Sequence, residues 1–469
     1  MENKGSKGTE VLYKVYLQYK GALMSKIVVV GVNHAGTAAA NTILGNYPGN
    51  EVVLIDQNSN ISYLGCGTAL YVGRQIPETR NLFYSSAEVM AQKGAKVFME
   101  TTVEAIDFDK KVVKAKTKDG KALNESYDKL ILATGSRPIS PKIPGMNFEG
   151  VHFVKLFQDG MKIDADLNNP EVKSVVTVGA GYIGVEIAEA VKLRGRNSML
   201  LEMQDSCLAG YFDKEFSQNM TKVLKDNGIQ VHYSEALKEI KSTNGKRVTS
   251  IVTDKGEYPT DAVIMSIGFL PRNELGNGKL KTHTNGAFLV NTNQETSIPG
   301  VYAVGDCATV LNNATGKVDY IALATNAVRS GIVAGHNVCG TGLQSQGVQG
   351  SNGIQIYNYK MWSTGLCLAK AKSAGFDAVC VDYKDTQKYA FMSGQNDEVQ
   401  LRIVYDTKTR RILGTQMASF QDVSMGLHMF SLAIAKGFTI NELPLLDIFF
   451  MPHFNQAFNY VTMAGLTAK

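Results

Sequence analysis

The stretch Gly179-Ala180-Gly181-Tyr182-Ile183-Gly184 restricts the fold more than any other in the chain. An apolar run, Ser174-Val175-Val176-Thr177-Val178, leads into it. A helical pattern carrying Glu186, Ile187 and Ala190 leaves it, and Met199-Leu200-Leu201 then ends at the acid Glu202. Strand, glycine turn, helix, strand and acid in this order make a dinucleotide-binding unit of a parallel sheet. The glycines let backbone approach a pyrophosphate at the helix N-terminus, where unpaired N–H groups favour an anion. A carboxylate at position 202 accepts from a ribose 2′-hydroxyl and repels a 2′-phosphate, so the unit is expected to prefer NADH to NADPH. Ser266-Ile267-Gly268 closes it.

A second unit of this kind lies upstream. Lys26-Ile27-Val28-Val29-Val30 reads as a buried parallel strand ending at Gly31. The turn Gly31-Val32-Asn33-His34-Ala35-Gly36 follows, then an alanine-rich helix start, then Glu51–Ile55 ending at Asp56. Asn33 stands where the middle glycine is usual, so this turn is weaker evidence alone, and a purely structural turn is the competing reading. Two later strands end in similar small-residue turns: Asp128–Leu132 before Ala133-Thr134-Gly135-Ser136, and Val301–Val304 before Gly305-Asp306. Such strand ends, far apart in sequence, suit one sheet interrupted by an inserted unit.

Between the glycine turns lies Ser62-Tyr63-Leu64-Gly65-Cys66-Gly67-Thr68. A lone cysteine is often a packed core residue. Its glycine flanks and the nucleotide units around it favour a redox thiolate against a flavin. Ionisation near neutral pH needs help, since a free thiol has a pKa of about 8.5. The apolar run after Thr68 is expected to begin a helix whose N-terminus gives that help. His34 is placed in a phosphate-binding turn where no fold requirement explains it, so it is a candidate partner of the reacting oxygens.

The chain has 469 residues, 44% hydrophobic, with 48 basic and 43 acidic residues scattered without a block. No basic footprint for nucleic acid stands out. Cys66, Cys207, Cys307, Cys339, Cys367 and Cys380 show no CxxC spacing, against a zinc site or a dithiol and for a reducing compartment. No run reaches the length of a membrane span, and the expected location is cytoplasmic. Residues 1–23 read as an extension outside the fold, with Met24 placed as a natural start. Ile321–Gly331 reads as a small-residue helix start, residues 340–353 as a linker. The remainder alternates, turns helical over 426–435 and ends in an aromatic tail, Phe449-Phe450-Met451-Pro452-His453-Phe454, read as subunit interface. The expected architecture is α/β: a first nucleotide domain over 24–148 and 271–345, a second over 149–270, and an α+β dimerisation domain over 346–469.

Two nested nucleotide units followed by a C-terminal domain resemble the pyridine nucleotide–disulfide oxidoreductases, from Met24 onward. A single Cys66, together with His34, is similar to the branch containing NADH oxidases, NADH peroxidases and coenzyme A–disulfide reductases, and looks most like a water-forming NADH oxidase. The resemblance implies FAD contacts at Gly31, Asn33, His34, Ala35, Gly36, Asp56, Cys66, Val103, Ala133, Thr134, Gly135, Ser136, Lys155, Asp306 and Ala324. It implies NADH contacts at Gly179, Ala180, Gly181, Tyr182, Ile183, Gly184, Glu202, Tyr211 and Gly268, with Tyr182 covering the nicotinamide pocket and swinging aside. Phe449 would approach the flavin of a second subunit in a homodimer.

The implied chemistry uses O₂ and two NADH. Hydride passes to flavin, oxygen forms a flavin peroxide that yields hydrogen peroxide, and the Cys66 thiolate cleaves the O–O bond, becoming a sulfenic acid that a second NADH reduces. Peroxidase, coenzyme A–disulfide reductase, and a non-catalytic flavin sensor or electron-carrier reductase stay open as alternatives.

Overall fold

The computed structural model describes residues 24–276 and 278–469; the expected extension over 1–23 lies outside them. The β-branched run Lys26–Val30 is the centre of a five-stranded sheet, its last four residues buried. Glu51–Ile55 and Lys96–Phe98 lie on one side of it, Lys129–Leu132 and Val301–Ala303 on the other, all parallel. Burial on both faces explains the unbroken apolar runs. Helices His34–Asn46 and Ala324–Asn337 cover one face of this sheet. They approach closely enough that a Cβ on Gly331 would stand 2.2 Å from the Ala35 carbonyl. An antiparallel three-stranded sheet, Thr101–Asp107, Val112–Thr117 and Ala122–Ser126, packs on the other face.

The inserted module repeats the plan. Ser174–Val178 is central in a second parallel sheet of five strands, flanked by Asn197–Leu201 and Gln230–His232 on one side and Ala262–Met265 and Val151–Phe153 on the other. A second antiparallel trio covers it, Leu237–Lys241, Ser250–Thr253 and Glu257–Pro259. The chain crosses between modules twice, and the crossings pair antiparallel as a ribbon, Ser136–Pro138 against Phe269–Pro271.

The C-terminal region is an antiparallel sheet in the order Asn352–Ile356, Tyr359–Gly365, Ile412–Ser419, Glu398–Asp406, Ala378–Thr386. Helices Ser424–Lys436 and Tyr460–Thr467 pack on it, burying Phe430, Ile434, Val461 and Ala464. The linker expected over 340–353 is shorter than composition suggested. Asn352 already begins a strand, and Val348 is buried, its N–H bonded to the Leu311 carbonyl at 2.8 Å. The buried Val348 and backbone bonds such as Ser345 N–H to the Thr292 carbonyl strap the segment to the first module.

Arg402 joins this region to the inserted module. Its guanidinium meets Asp382 at 2.7 and 2.8 Å, Glu215 at 2.8 Å and Asp213 at 3.3 Å. Gln416 Nε2 donates to Asp213 at 2.6 Å beside them. Leu445, Phe449, Phe450, Phe454 and Phe458, by contrast, stand exposed. Among the described residues no helix is long and apolar enough to cross a membrane.

Candidate active site

Both glycine turns adopt the conformation their sequences demand. Gly31 and Gly179 have φ of +92° and +97°, and a Cβ there would lie 2.2 Å from the Ala133 carbonyl and 2.5 Å from that of Ser266. Only glycine fits such positions. Gly181 faces open space, a cradle that leaves backbone accessible. Asn33, the departure from the motif, has φ −88° and an exposed side chain, so this position needs no glycine.

The acids at the two strand ends do the same local work. Asp56 Oδ2 accepts from the Val32 N–H at 2.6 Å, and Glu202 Oε2 accepts from the Ala180 N–H at 2.7 Å. Each carboxylate therefore braces the residue after the first glycine. Asp56 is buried, and burial pushes its carboxyl up against the hydrogen bonds from Asn58 and Val32. These acids, the glycine turns and the helix N-termini behind them fit an FAD in the first module and a dinucleotide in the second.

Lys155 marks the junction of the two modules. Its ammonium donates to Ser136 Oγ at 2.8 Å and to Asp306 Oδ2 at 3.1 Å, and lies 4.5 Å from the centre of the Phe269 ring. Ser136 Oγ also donates to Asp306, at 2.8 Å. Four separate segments thus meet at this group, and its charges reach two more, at His34 and Cys66.

His34 opens helix His34–Asn46. Its ring stacks on Tyr84, with centroids 5.7 Å apart, and Nδ1 lies 3.0 Å from the Tyr84 hydroxyl. Burial holds the imidazole below its usual pKa, with the Asp306 charge opposing and Lys155 reinforcing the shift. His34 is therefore neutral at neutral pH, with one ring nitrogen to donate and one to accept.

Cys66 occupies a single 3₁₀ turn, Gly65–Gly67. Among the described residues no strand leads directly into it: the backbone at Tyr63 makes an isolated bridge to Phe83, while the Tyr63 hydroxyl hydrogen-bonds Thr68 Oγ1. The turn is pinned at both ends. Ser62, at φ +59°, donates from Oγ to the Ser85 carbonyl and accepts from the N–H groups of Tyr84 and Ser85. Thr68 Oγ1 donates to the Gly65 carbonyl at 2.6 Å. Cys66 is free and its residue is exposed at the surface, but enough protein surrounds the position to disfavour a charge there. Burial pushes the thiol up, and the Glu186 charge pushes the same way. Its own N–H and Lys155 oppose them, while Asp306 adds to the rise.

The expected helix begins at Thr68, directly after the turn that holds Cys66, but it runs for only five residues, and the N–H help at Cys66 is outweighed by burial. The chain's own groups raise this thiol's pKa. Sequence reasoning missed Glu186, whose half-buried carboxyl is raised to about 7, chiefly by desolvation and then by Glu189. Only its position one turn into the helix after the second glycine motif hinted at it.

Tyr182 is the first residue of helix Tyr182–Leu193 and meets Tyr211 edge-on, centroids 4.8 Å apart. Its hydroxyl hydrogen-bonds Asn352 Oδ1. Tyr211 is half exposed, with Lys370 Nζ 5.4 Å from its ring centre. Ile183 packs against the core formed by Tyr63, Leu82 and Ile187. Gly268, at φ +105°, leads into the crossing ribbon. Thr134 Oγ1 donates to the Arg272 carbonyl at 2.9 Å, and Gly135 accepts from Arg272 N–H at 2.9 Å. Val103 sits at a bulge in its strand, and Ala324 opens its helix. Phe449 stays apart from this group: its ring meets Phe454, and its carbonyl accepts from Asn455.

Residues 25–331 match the pyridine nucleotide-disulphide oxidoreductase model, and residues 354–462 match that family's dimerisation domain. The chain belongs to this family. Among its members, an NADH oxidase of Streptococcus pyogenes is 55% identical, the match covering 95% of this chain and 100% of that one. An NADH oxidase of Lactococcus lactis is 53% identical, with the same coverages. A solved family structure, a water-forming NADH oxidase from Lactobacillus brevis bound to NADH, superposes with a TM-score of 0.91 at 37% identity, covering 94% of this chain and 97% of the other. The oxidoreductase fold thus runs through both nucleotide modules and the C-terminal sheet.

Proposed function

We propose that this protein is an FAD-dependent NADH oxidase that reduces O₂ to two waters at the expense of two NADH. The observation that carries the reading is Cys66, free and exposed in its turn where two nucleotide modules meet, with the Lys155 ammonium near enough to favour its ionised form against burial and the Glu186 and Asp306 charges. The identities to NADH oxidases support it.

FAD would be held by the turn from Gly31 to Gly36, by Asp56, and by Val103, Ala133–Ser136, Lys155, Asp306 and Ala324. Bound there, it supplies a centre that takes two electrons from NADH and passes them to oxygen. NADH would lie on the second turn, Gly179–Gly184, with Glu202 on its ribose and Tyr211 and Gly268 nearby. Tyr182 would cover the nicotinamide position until NADH displaces the ring.

Cys66 completes the reduction. Its sulfur attacks one oxygen of hydrogen peroxide, the O–O bond breaks, and the departing hydroxide takes a proton to leave as water. The sulfur is left as sulfenic acid. Two electrons and a proton from the second NADH then return it to thiolate and release the second water. No resolving cysteine stands beside it, so over-oxidation to the sulfinic level is the hazard. His34 would hold the peroxide oxygens, accepting through one ring nitrogen or donating through the other. The exposed Phe449 segment would be covered by a second subunit.

The test is the ratio of NADH consumed to O₂ consumed by the purified holoenzyme without catalase. A ratio of two supports the reading. A ratio of one, with peroxide accumulating, refutes water as the product, and oxidation of NADH only when peroxide is supplied would make the protein a peroxidase.

A further inference from the structure

We propose that Asn352 is a positioning residue that latches Tyr182 over the nicotinamide site, so that NADH binding has to break one hydrogen bond to the C-terminal sheet. The inference rests on the reading of Tyr182 as the cover of that site. Tyr182 belongs to the inserted module, yet its hydroxyl is bonded to Asn352 Oδ1, on the first strand of the C-terminal sheet. That partner is itself immobilised. Ser363 Oγ donates to the same Oδ1 at 3.0 Å, and Asn352 Nδ2 donates to the Gly350 carbonyl at 2.6 Å. Asn352 and Ser363 face each other in the strand ladder, which fixes their register.

The residues just before Asn352 are anchored as well. Ser351 Oγ lies 2.8 Å from Thr364 Oγ1 and donates to Ser431 Oγ at 3.2 Å, and Ser431 donates to Gln349 Oε1 at 3.1 Å. Ser431 is on helix Ser424–Lys436. The amide is thus held by the sheet and the helix beneath it, whereas the tyrosine sits at the first position of its helix with its ring edge against a half-exposed Tyr211. The amide makes further hydrogen bonds of its own, whereas the tyrosine ring is held by packing against Tyr211 and Phe212, so opening is expected to move the tyrosine. A neutral hydrogen bond of this kind is worth about 0.5–1.5 kcal/mol net, so its loss on opening weakens NADH binding by roughly three- to tenfold.

The experiment uses holoenzyme and follows anaerobic flavin reduction by stopped flow. The NADH dependence of the rate gives a dissociation constant separately from the limiting rate. Iodide quenching of flavin fluorescence, measured without nucleotide, reports how well the site is covered. In Asn352→Ala the dissociation constant is expected to fall about three- to tenfold, matching one neutral hydrogen bond, and quenching is expected to rise. Tyr182→Phe should lower the dissociation constant equally, and the double variant should go no further, because both remove the same bond. Asn352→Asp keeps an acceptor for the phenol and should not tighten binding; it carries the test if the alanine variant does not fold.

Unchanged affinity and quenching in Asn352→Ala, alongside a change in Tyr182→Phe, overturn the latch and leave the cover standing. If Tyr182→Ala alters neither readout, Tyr182 is not a cover, and the latch falls with it.

Discussion

Replacing Arg402 by methionine tests what fastens the inserted module to the C-terminal sheet. The guanidinium is buried among three carboxylates, but these do not count equally. Asp382 and Glu215 have side chains 50% and 56% exposed, so water replaces the lost cation there at little cost. Asp213 is only 8% exposed and would keep its charge in the interface. Stripping one partner from a buried pair costs about 3–5 kcal/mol. Asp213 retains the Gln416 amide at 2.6 Å and the Leu368 N–H at 3.2 Å, which places the expected loss near the lower end, ~3 kcal/mol. Methionine keeps an apolar stem against Phe216, so little packing is lost.

At about 2 °C per kcal/mol for a cooperative unit of this size, the thermal midpoint falls by roughly 6 °C. The assay is calorimetry of native and variant holoenzyme at equal protein and cofactor concentration. Acidity adds a second arm. Arg402 holds the Glu215 carboxyl below its usual range. A carboxyl with a lowered folded pKa stabilises the protein above its unfolded pKa, and that contribution is lost as pH falls through the lowered value. The gap between native and variant midpoints should therefore narrow toward acid. A drop under about 2 °C at neutral pH, against the ~3 kcal/mol expected, would show that Arg402 does not hold the two parts together.

Cys66→Ser should still oxidise NADH, but its consumption should fall from two NADH per O₂ to one while peroxide accumulates; a variant still making only water would remove the sulfur from the chemistry. Glu186→Gln takes away a charge that raises the Cys66 thiol, so the pH profile of Cys66 alkylation should move to lower pH. The difference should appear above about pH 7, where Glu186 is ionised, and an unmoved profile would deny the coupling. Glu202→Gln removes the charge opposing a 2′-phosphate and should raise kcat/KM for NADPH relative to NADH by about tenfold, or 1.4 kcal/mol; an unaltered ratio would mean Glu202 does not read the ribose.

The parts legible in the sequence are those that backbone geometry dictates locally. Gly31 and Gly179 had to be glycine because of φ and a facing carbonyl, and the strands before them had to be apolar because both sheet faces are covered. Those constraints act within about thirty residues, the size of one βαβ unit, and can be read directly. The site's electrostatics were not legible in this way. Glu186 and Cys66 belong to different modules, as do Tyr182 and Asn352, and only the folded arrangement makes them neighbours. The Cys66 environment came out opposite in sign to expectation, because burial and the Glu186 charge outweigh its own N–H and Lys155. Residues 340–353 were read from composition, which cannot show that Val348 finds a buried place against Leu311.

The paired crossing of Ser136–Pro138 with Phe269–Pro271 has a mechanical consequence. Because both passages run side by side, the covalent link between the two nucleotide modules is confined to one strip, and any rotation of one against the other must twist that pair. Ser136 and Phe269, which touch the Lys155 side chain, lie on the strip itself. Closure on a bound nucleotide would therefore be felt first at the ammonium and the carboxylate of Asp306, without any signal having to cross the body of either sheet.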